Sequence, residues 1–455
     1  MSKRTLFGAA LALLFIINPA LVAQQRNGLA DKQASQDAVR KIAEPKDAAA
    51  AKIKVAEVVS AASEILDEVS KLRGLKILSP VKSGAKSRAE IEQEIVRSFE
   101  EESTPEELET DNKVLIAYGL VPKDFRYREF MIKLLTEQVA GFYKPKNKEL
   151  FIADWNDLEQ QKPVMVHELE HALQDQHFNL RRFEKWPKGD GDREMAIHAL
   201  IEGDATAVMY NYQLKPMRGD ITKLPPISNF ADLSLAQAER DKQVVFLSAP
   251  PALRESLIFP YVYGATFVQE MAKRRGWDGV SQTFTDLPQS TEQILHFDKY
   301  AAKEMPVKVT LPDISKLLGA NWKRIDADIN GEWGYFLILS QFIGKKDARA
   351  AAAGWGGDQS VLYENAKTGG LLLTHLSAWD TVEDAAEFLQ AYADRTLKRY
   401  PTAKPLAANK DERTFQTPDG EVHIQLRDRS VLVIEGLSAD QSAGVGMLKE
   451  SLWKR

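Results

Sequence analysis

Val164-Met165-Val166-His167-Glu168-Leu169-Glu170-His171-Ala172-Leu173 reads as one run of helix, with Pro163 suited to its first turn. Four residues of α-helix turn through about 400°, so His167 and His171 share a face, one turn apart. That is the spacing two imidazoles need to hold one zinc ion. Glu168 lies on the adjacent flank, able to reach a water on the metal without being a ligand itself. Two surface histidines on an ordinary helix would give the same pattern. What favours a metal is that four of the chain's seven histidines fall between His167 and His198.

A third ligand is expected downstream. Asp192 to Tyr210 reads as a second helix, with Met195, Ile197, Leu200, Ile201, Val208 and Met209 apolar. Glu202 sits within that apolar stretch, where a charge is costly unless it is paired or bound to a metal. Gly203 is a poor helix residue and is accounted for if another backbone must come close. His198, four residues before Glu202, could share its face and is a rival ligand. A three-histidine site would then leave Glu202 to a salt bridge. His177 lacks the glycine turn of the longer three-histidine motif and reads as a helix-end residue.

His167-Glu168-x-x-His171 followed about 35 residues later by Glu202 resembles the gluzincin class of zinc metallopeptidases. Within that class the chain is similar to poorly characterised exported bacterial proteins. Their Glu-Gly-Asp-Ala, Gly-Phe-Tyr-x-Pro and Ser-Thr-Glu-Gln-Ile-Leu-His segments match positions 202–205, 141–145 and 290–296. The resemblance covers residues 115 to 300, with weaker echoes up to Glu387. It implies one Zn2+ per chain held by His167, His171 and Glu202, with Glu168 as general base. The class often has an acid one turn after the glutamate ligand, bonded to a ligand histidine. Here the nearest is Asp204, only two positions on.

The chain has 455 residues, 44% of them hydrophobic, enough for more than one core. A net charge of −5 argues against nucleic acid as a partner. The absence of cysteine excludes disulfides, thiolate ligands and cysteine nucleophiles, leaving histidine and carboxylate as metal donors. Lys3 and Arg4, an apolar core from Leu6 to Ile17, and Ala20 to Ala23 before Gln24 read as an export signal. A retained membrane anchor is the alternative, although the core is shorter than the ~20 residues needed to cross a bilayer. The expected location is therefore periplasmic or secreted, with no transmembrane domain beyond the signal segment.

The expected class is α+β: a mainly helical, zincin-like metallopeptidase domain with a small β-sheet edge, followed by a C-terminal α+β module. The divisions are a signal at 1–23, a linker at 24–50, an N-terminal helical lobe at 51–138, the catalytic domain at 139–304 and the C-terminal module at 305–455. The lobe is either structural or a pro-segment covering the site. Ser87-Arg88-Ala89-Glu90, Thr104-Pro105-Glu106-Glu107 and Ser290-Thr291-Glu292-Gln293 are capping signatures. Gly141 to Ile152 reads as a hairpin that could pair with an extended peptide. A helix is expected near Leu233 to Gln243, and another opening at Tyr261. Tyr261, Tyr263 and His296 are candidates to hydrogen-bond an oxyanion. Farther on, Glu332 to Ala353 reads as one helix and Gly354 to Asp358 as a tight turn. His375 and His423 read as structural.

These residues support an exported zinc-dependent peptidase acting on a peptide or protein. The alternatives are a non-catalytic periplasmic binding or assembly factor with a structural metal, and a metallohydrolase of a non-peptide amide.

Overall fold

The structure, a computed structural model, describes residues 10–13, 55–183, 186–231 and 238–454. Most of the expected signal and all of the expected linker lie outside the described residues. So do residues 233–237 of the helix expected near Leu233 to Gln243.

Ala10–Leu13 forms a short strand, β1. Helix α1, Val55–Arg73, buries Val58, Ala62, Ile65, Leu66 and Val69, the apolar stripe of its sequence. Strand β2 is Lys82–Lys86. Helices α2, Arg88–Glu102, and α3, Pro105–Tyr118, open on reciprocal capping boxes at Ser87/Glu90 and Thr104/Glu107, as their spacing predicts. Helix α4 is Tyr127–Gln138. The expected hairpin follows as β3, Val139–Lys144, and β4, Glu149–Ala153. The sheet order is β1-β3-β4-β2, with β2 parallel to β4 and the other pairs antiparallel.

Helix α5, Leu158–Phe178, begins one and a half turns earlier than expected. Asp157 caps it by accepting from the Glu159 amide, so Pro163 lies inside the helix and not in its first turn. The polar run Glu159-Gln160-Gln161 carries no apolar periodicity and hid those turns. Helix α6, Gly191–Leu214, is buried along nearly all its length. Helix α7, Pro251–Thr283, also starts earlier than expected, so Tyr261 lies in its middle, after Pro260. It breaks at Gly276, whose φ of 66° is left-handed. Short α8, Thr291–Leu295, is capped by Ser290.

Helices α6 and α7 cross backbone to backbone. A Cβ on Gly203 would stand 2.2 Å from the Gly264 carbonyl carbon, and one on Gly264 would stand 2.0 Å from the Ala199 oxygen. The close approach expected of Gly203 is thus supplied by Gly264, and it fixes where Tyr261, one turn earlier on α7, can stand.

The C-terminal part contains β5, Trp322–Asp328; α9, Gly331–Ile343; α10, Lys345–Ala352; β6, Trp355–Asn365; β7, Leu371–Trp379; α11, Val382–Arg399; β8, Lys404–Ala408; β9, Glu412–Thr417; β10, Gly420–Arg427; β11, Ser430–Leu437; and α12, Val445–Trp453. Its seven strands form an antiparallel sheet in the order β5-β6-β7-β11-β10-β9-β8. The class is α+β. Two local expectations fail here. The helix expected over Glu332 to Ala353 is split by Gly344, at φ 90°. The turn expected at Gly354 to Asp358 is confined to Gly354, and Trp355 onward is already strand.

One sheet face packs on α11 through Phe388, Leu389 and Tyr392. That face continues into the same apolar core as α5, α6 and α7. The other face has its own core with Leu448 and Leu452 of α12. Arg395 and Arg399 pair with buried Glu435 of β11 and donate to the last carbonyls of α3 at Tyr118, Ala117 and Ile116. The helical lobe and the sheet are therefore joined by apolar contact and by charge.

Gly264→Ala should cost about 1–3 kcal/mol or more through overpacking at the crossing. Thermal unfolding of the variant at the wild-type temperature would contradict the close approach. His375 is buried with its Nδ1 3.1 Å from the Tyr335 hydroxyl, and burial pushes its pKa down to about 3 against the opposing pull of Glu435. Below pH 6.5 the unfolded chain takes a proton that the folded chain refuses. The associated stability is complete above pH 6.5 and lost as pH falls towards 3. His375→Gln should therefore reduce the pH dependence of unfolding between pH 6 and 4 by about one proton.

Candidate metal centre

Helix α5 enters the core side-on, and every residue from Val164 to Gln174 is buried. His167 is 2% exposed, Glu202 1%, and Glu168 and His171 fully enclosed. Helix α6 runs against α5 and brings Glu202 onto the imidazole pair. His167 Nε2 lies 3.0 Å from Glu202 Oε2, His171 Nε2 lies 3.4 Å from the same oxygen, and the two Nε2 atoms are 3.1 Å apart. In a tetrahedron with bonds of about 2.0–2.1 Å, ligand atoms stand about 3.3 Å apart. The observed triangle fits that geometry. Among the described residues these three form one of two candidate metal-holding groups. The other, Glu292, Glu304 and Asp380, already converges on the Lys299 ammonium at 2.6–2.8 Å.

Burial would push the Glu202 carboxyl up, but the facing imidazoles outweigh it and hold it well below the usual carboxylate range. Burial drives His167 down, with Glu202 opposing. For His171 the pull of burial is overcome by Glu202, with help from Glu168, and its pKa rises to about 9. The site therefore favours positive charge beside Glu202, the electrostatics a divalent cation satisfies.

Glu168 reaches towards the small sheet. Its Oε2 accepts from the Tyr143 amide of β3 at 2.5 Å, which ties the carboxylate to the small sheet. The expected oxyanion candidates separate. The Tyr261 ring stacks on His167, centroids 5.9 Å apart. Tyr263, two residues on and so pointing away from Tyr261, meets Arg349 through its hydroxyl. His296 pairs with Glu332 at 2.9 Å. Only Tyr261 of the three is placed against a member of the metal group, because a helix that presents one tyrosine must turn the other aside.

His198 lies 3.3 Å from Glu202 Oε1, the oxygen that faces away from the other two imidazoles. It is placed to orient the carboxylate. Asp204 does not touch a candidate ligand histidine. It accepts from Gln174, and Gln174 Oε1 meets His171 Nδ1 at 2.9 Å. Gln174 went unnoticed in the sequence, although a polar residue three places after His171 on an apolar helix was a visible signal. Arg73, which reaches Asp204 from α1 at 2.7 Å, carried no such signal. Glu170 is enclosed beside it. Burial and the nearby Asp204 push its carboxyl well above the usual range, with Arg73 opposing. A cleft of about 710 Å3 between α3, α4 and the sheet lies elsewhere and includes none of these residues.

Residues 318–446, the sheet region, match a family described as a domain of unknown function (DUF8575). No curated protein and no solved structure matches the chain. The match does not reach α5 or α6, so the reading of the metal centre rests on its own geometry.

Metal analysis of the purified protein should find one zinc per chain, lost in His167→Ala, His171→Ala and Glu202→Ala. His198→Ala should keep the metal with weaker affinity. The reverse pattern, with metal kept by Glu202→Ala and lost by His198→Ala, would reassign the third ligand.

Proposed function

We propose that this chain is an exported, zinc-dependent peptidase with a zincin-like catalytic region. The observation that carries the reading is the triangle of His167, His171 and Glu202 donor atoms, with edges of 3.0, 3.1 and 3.4 Å. A zinc ion bound there supplies Lewis acidity towards a carbonyl and makes water acidic enough to attack near neutral pH.

The chain's own residues supply the rest. Glu168, anchored on the Tyr143 amide, takes the proton of the attacking water and passes it to the leaving nitrogen. Tyr261, stacked on His167, is the side chain to donate to the developing oxyanion. Peptide is favoured as substrate by β3. Its outer edge takes an extended segment, β1, in antiparallel pairing, with Ala10 opposite Tyr143 and Leu11 opposite Phe142. Backbone pairing of that kind holds a peptide largely regardless of its side chains. Export rests on the basic and apolar N-terminal pattern. No described helix is long and apolar enough to cross a membrane.

One observation favours a second reading, a binding or assembly factor with a structural metal. All four central residues are 2% exposed or less. Hydroxamate binding separates the two, because an open coordination position takes the group and a closed one does not.

Glu168→Gln should keep its zinc and lose peptide hydrolysis roughly 10²–10⁴-fold. Tyr261→Phe should lose roughly 10²–10³-fold, mainly in kcat. Zinc-loaded protein that cleaves nothing in a broad peptide library and ignores hydroxamate would leave only the structural reading.

A further inference from the structure

The imidazole of His171 is held from behind by a chain of buried contacts that ends in the N-terminal lobe. His171 Nδ1 meets Gln174 Oε1 at 2.9 Å. The Gln174 amide nitrogen donates to the Ile201 carbonyl at 3.0 Å and to Asp204 Oδ2 at 3.2 Å. Asp204 Oδ1 accepts from Arg73 Nε at 2.7 Å. Arg73 is fixed in turn by the Ser281 hydroxyl and the Trp277 carbonyl of α7, with its guanidinium over the Trp277 ring. Arg73 is 1% exposed, and Gln174 and Asp204 are fully enclosed.

We propose that Gln174, Asp204 and Arg73 form a positioning relay for His171, and that the relay makes helix α1 part of the metal centre. The proposal rests on the metal reading above. Its logic lies in the amide. Two acceptors, Ile201 O and Asp204, claim the Gln174 nitrogen, so its oxygen must face His171. An oxygen there accepts the Nδ1 proton and leaves the Nε2 lone pair directed at His167 and Glu202, the form a metal requires. A carboxylate in place of Gln174 would set a second negative charge directly against Asp204, 3.2 Å from the Gln174 amide nitrogen. The neutral amide leaves the one charge at Asp204, where Arg73 balances it.

The relay also decides between the two roles open to the N-terminal lobe. A cover that is cut away cannot carry the only arginine that reaches Asp204 among the described residues. Loss of α1 would leave a buried carboxylate without its cation, an expensive state. Any processing compatible with a working centre therefore leaves Arg73 in place.

The test uses the full chain, zinc titration against a competing chelator, and NMR of the 15N-histidine-labelled, zinc-loaded protein. Gln174→Leu should weaken zinc binding roughly 10–100-fold. The same variant should remove an exchange-protected Nδ1 proton signal of His171. Arg73→Met should weaken binding less, and should add nothing when Gln174→Leu is already present, as members of one chain behave in a double-mutant cycle. If Gln174→Leu does not fold, Gln174→Glu sets two carboxylates against each other and should weaken zinc, and adding Asp204→Asn should recover it. Unchanged affinity in Gln174→Leu, additive losses, or no recovery in that pair overturns the relay while the metal reading stands. Wild-type protein that takes up no zinc overturns both.

Discussion

A carboxylate enclosed in an apolar interior demands positive charge within a few ångströms, and Glu202 is such a carboxylate. The rest of the centre can be understood as the answer to that demand. Helix α5 places two imidazoles one turn apart on the face that meets Glu202, and His198 engages the carboxylate's other oxygen. Without a cation the pull of Glu202 falls on the imidazoles and pushes the His171 pKa up to about 9. On the reading proposed above, a divalent ion would meet the same demand through these three donors. The helix crossing at Gly203 and Gly264 supports this arrangement by bringing α7, and Tyr261 with it, against α5.

Around the centre, buried charge is handled by pairing across elements distant in sequence. Arg73 of α1 answers Asp204 of α6, 131 residues away. Arg395 of α11 answers Glu435 of β11 and reaches the end of α3. Each pair would be costly if either partner were lost. Each also ties a part that sequence reading sets apart, the helical lobe in one case and the sheet in the other, to the same core. The lobe, the central helices and one face of the sheet are thus held as a continuous apolar interior.

Much of the local structure was legible because its signals are local. Capping boxes at Ser87 and Thr104, the hairpin about Pro145, and the apolar stripe of α1 depend on neighbours within a turn or two. Two of the strands that escaped notice are polar or irregular: Lys82-Ser83-Gly84-Ala85-Lys86 and Lys404-Pro405-Leu406-Ala407-Ala408 carry no alternation. Both lie at the edge of a sheet and owe their extension to the partner strand. Trp355 to Asp358 misled for the opposite reason. Its glycines permit a turn, but pairing with β7 draws the backbone straight, and a Cβ on Gly357 would stand 2.1 Å from the Val307 oxygen.

The sequence by itself determined that His167 and His171 face the same way and that Glu168 does not join them, since 3.6 residues per turn is a property of the backbone alone. It also marked Glu202 as a charge in need of a partner and Gly203 as a place of close approach. Tertiary structure alone decided which atoms meet: the Glu202 oxygen set between two imidazoles, Tyr261 and not Tyr263 beside His167, Gln174 and not Asp204 behind His171. Those choices depend on how far apart helix axes lie and how they are rotated. Packing sets both, through side-chain volumes and glycines contributed by residues dozens to hundreds of positions apart.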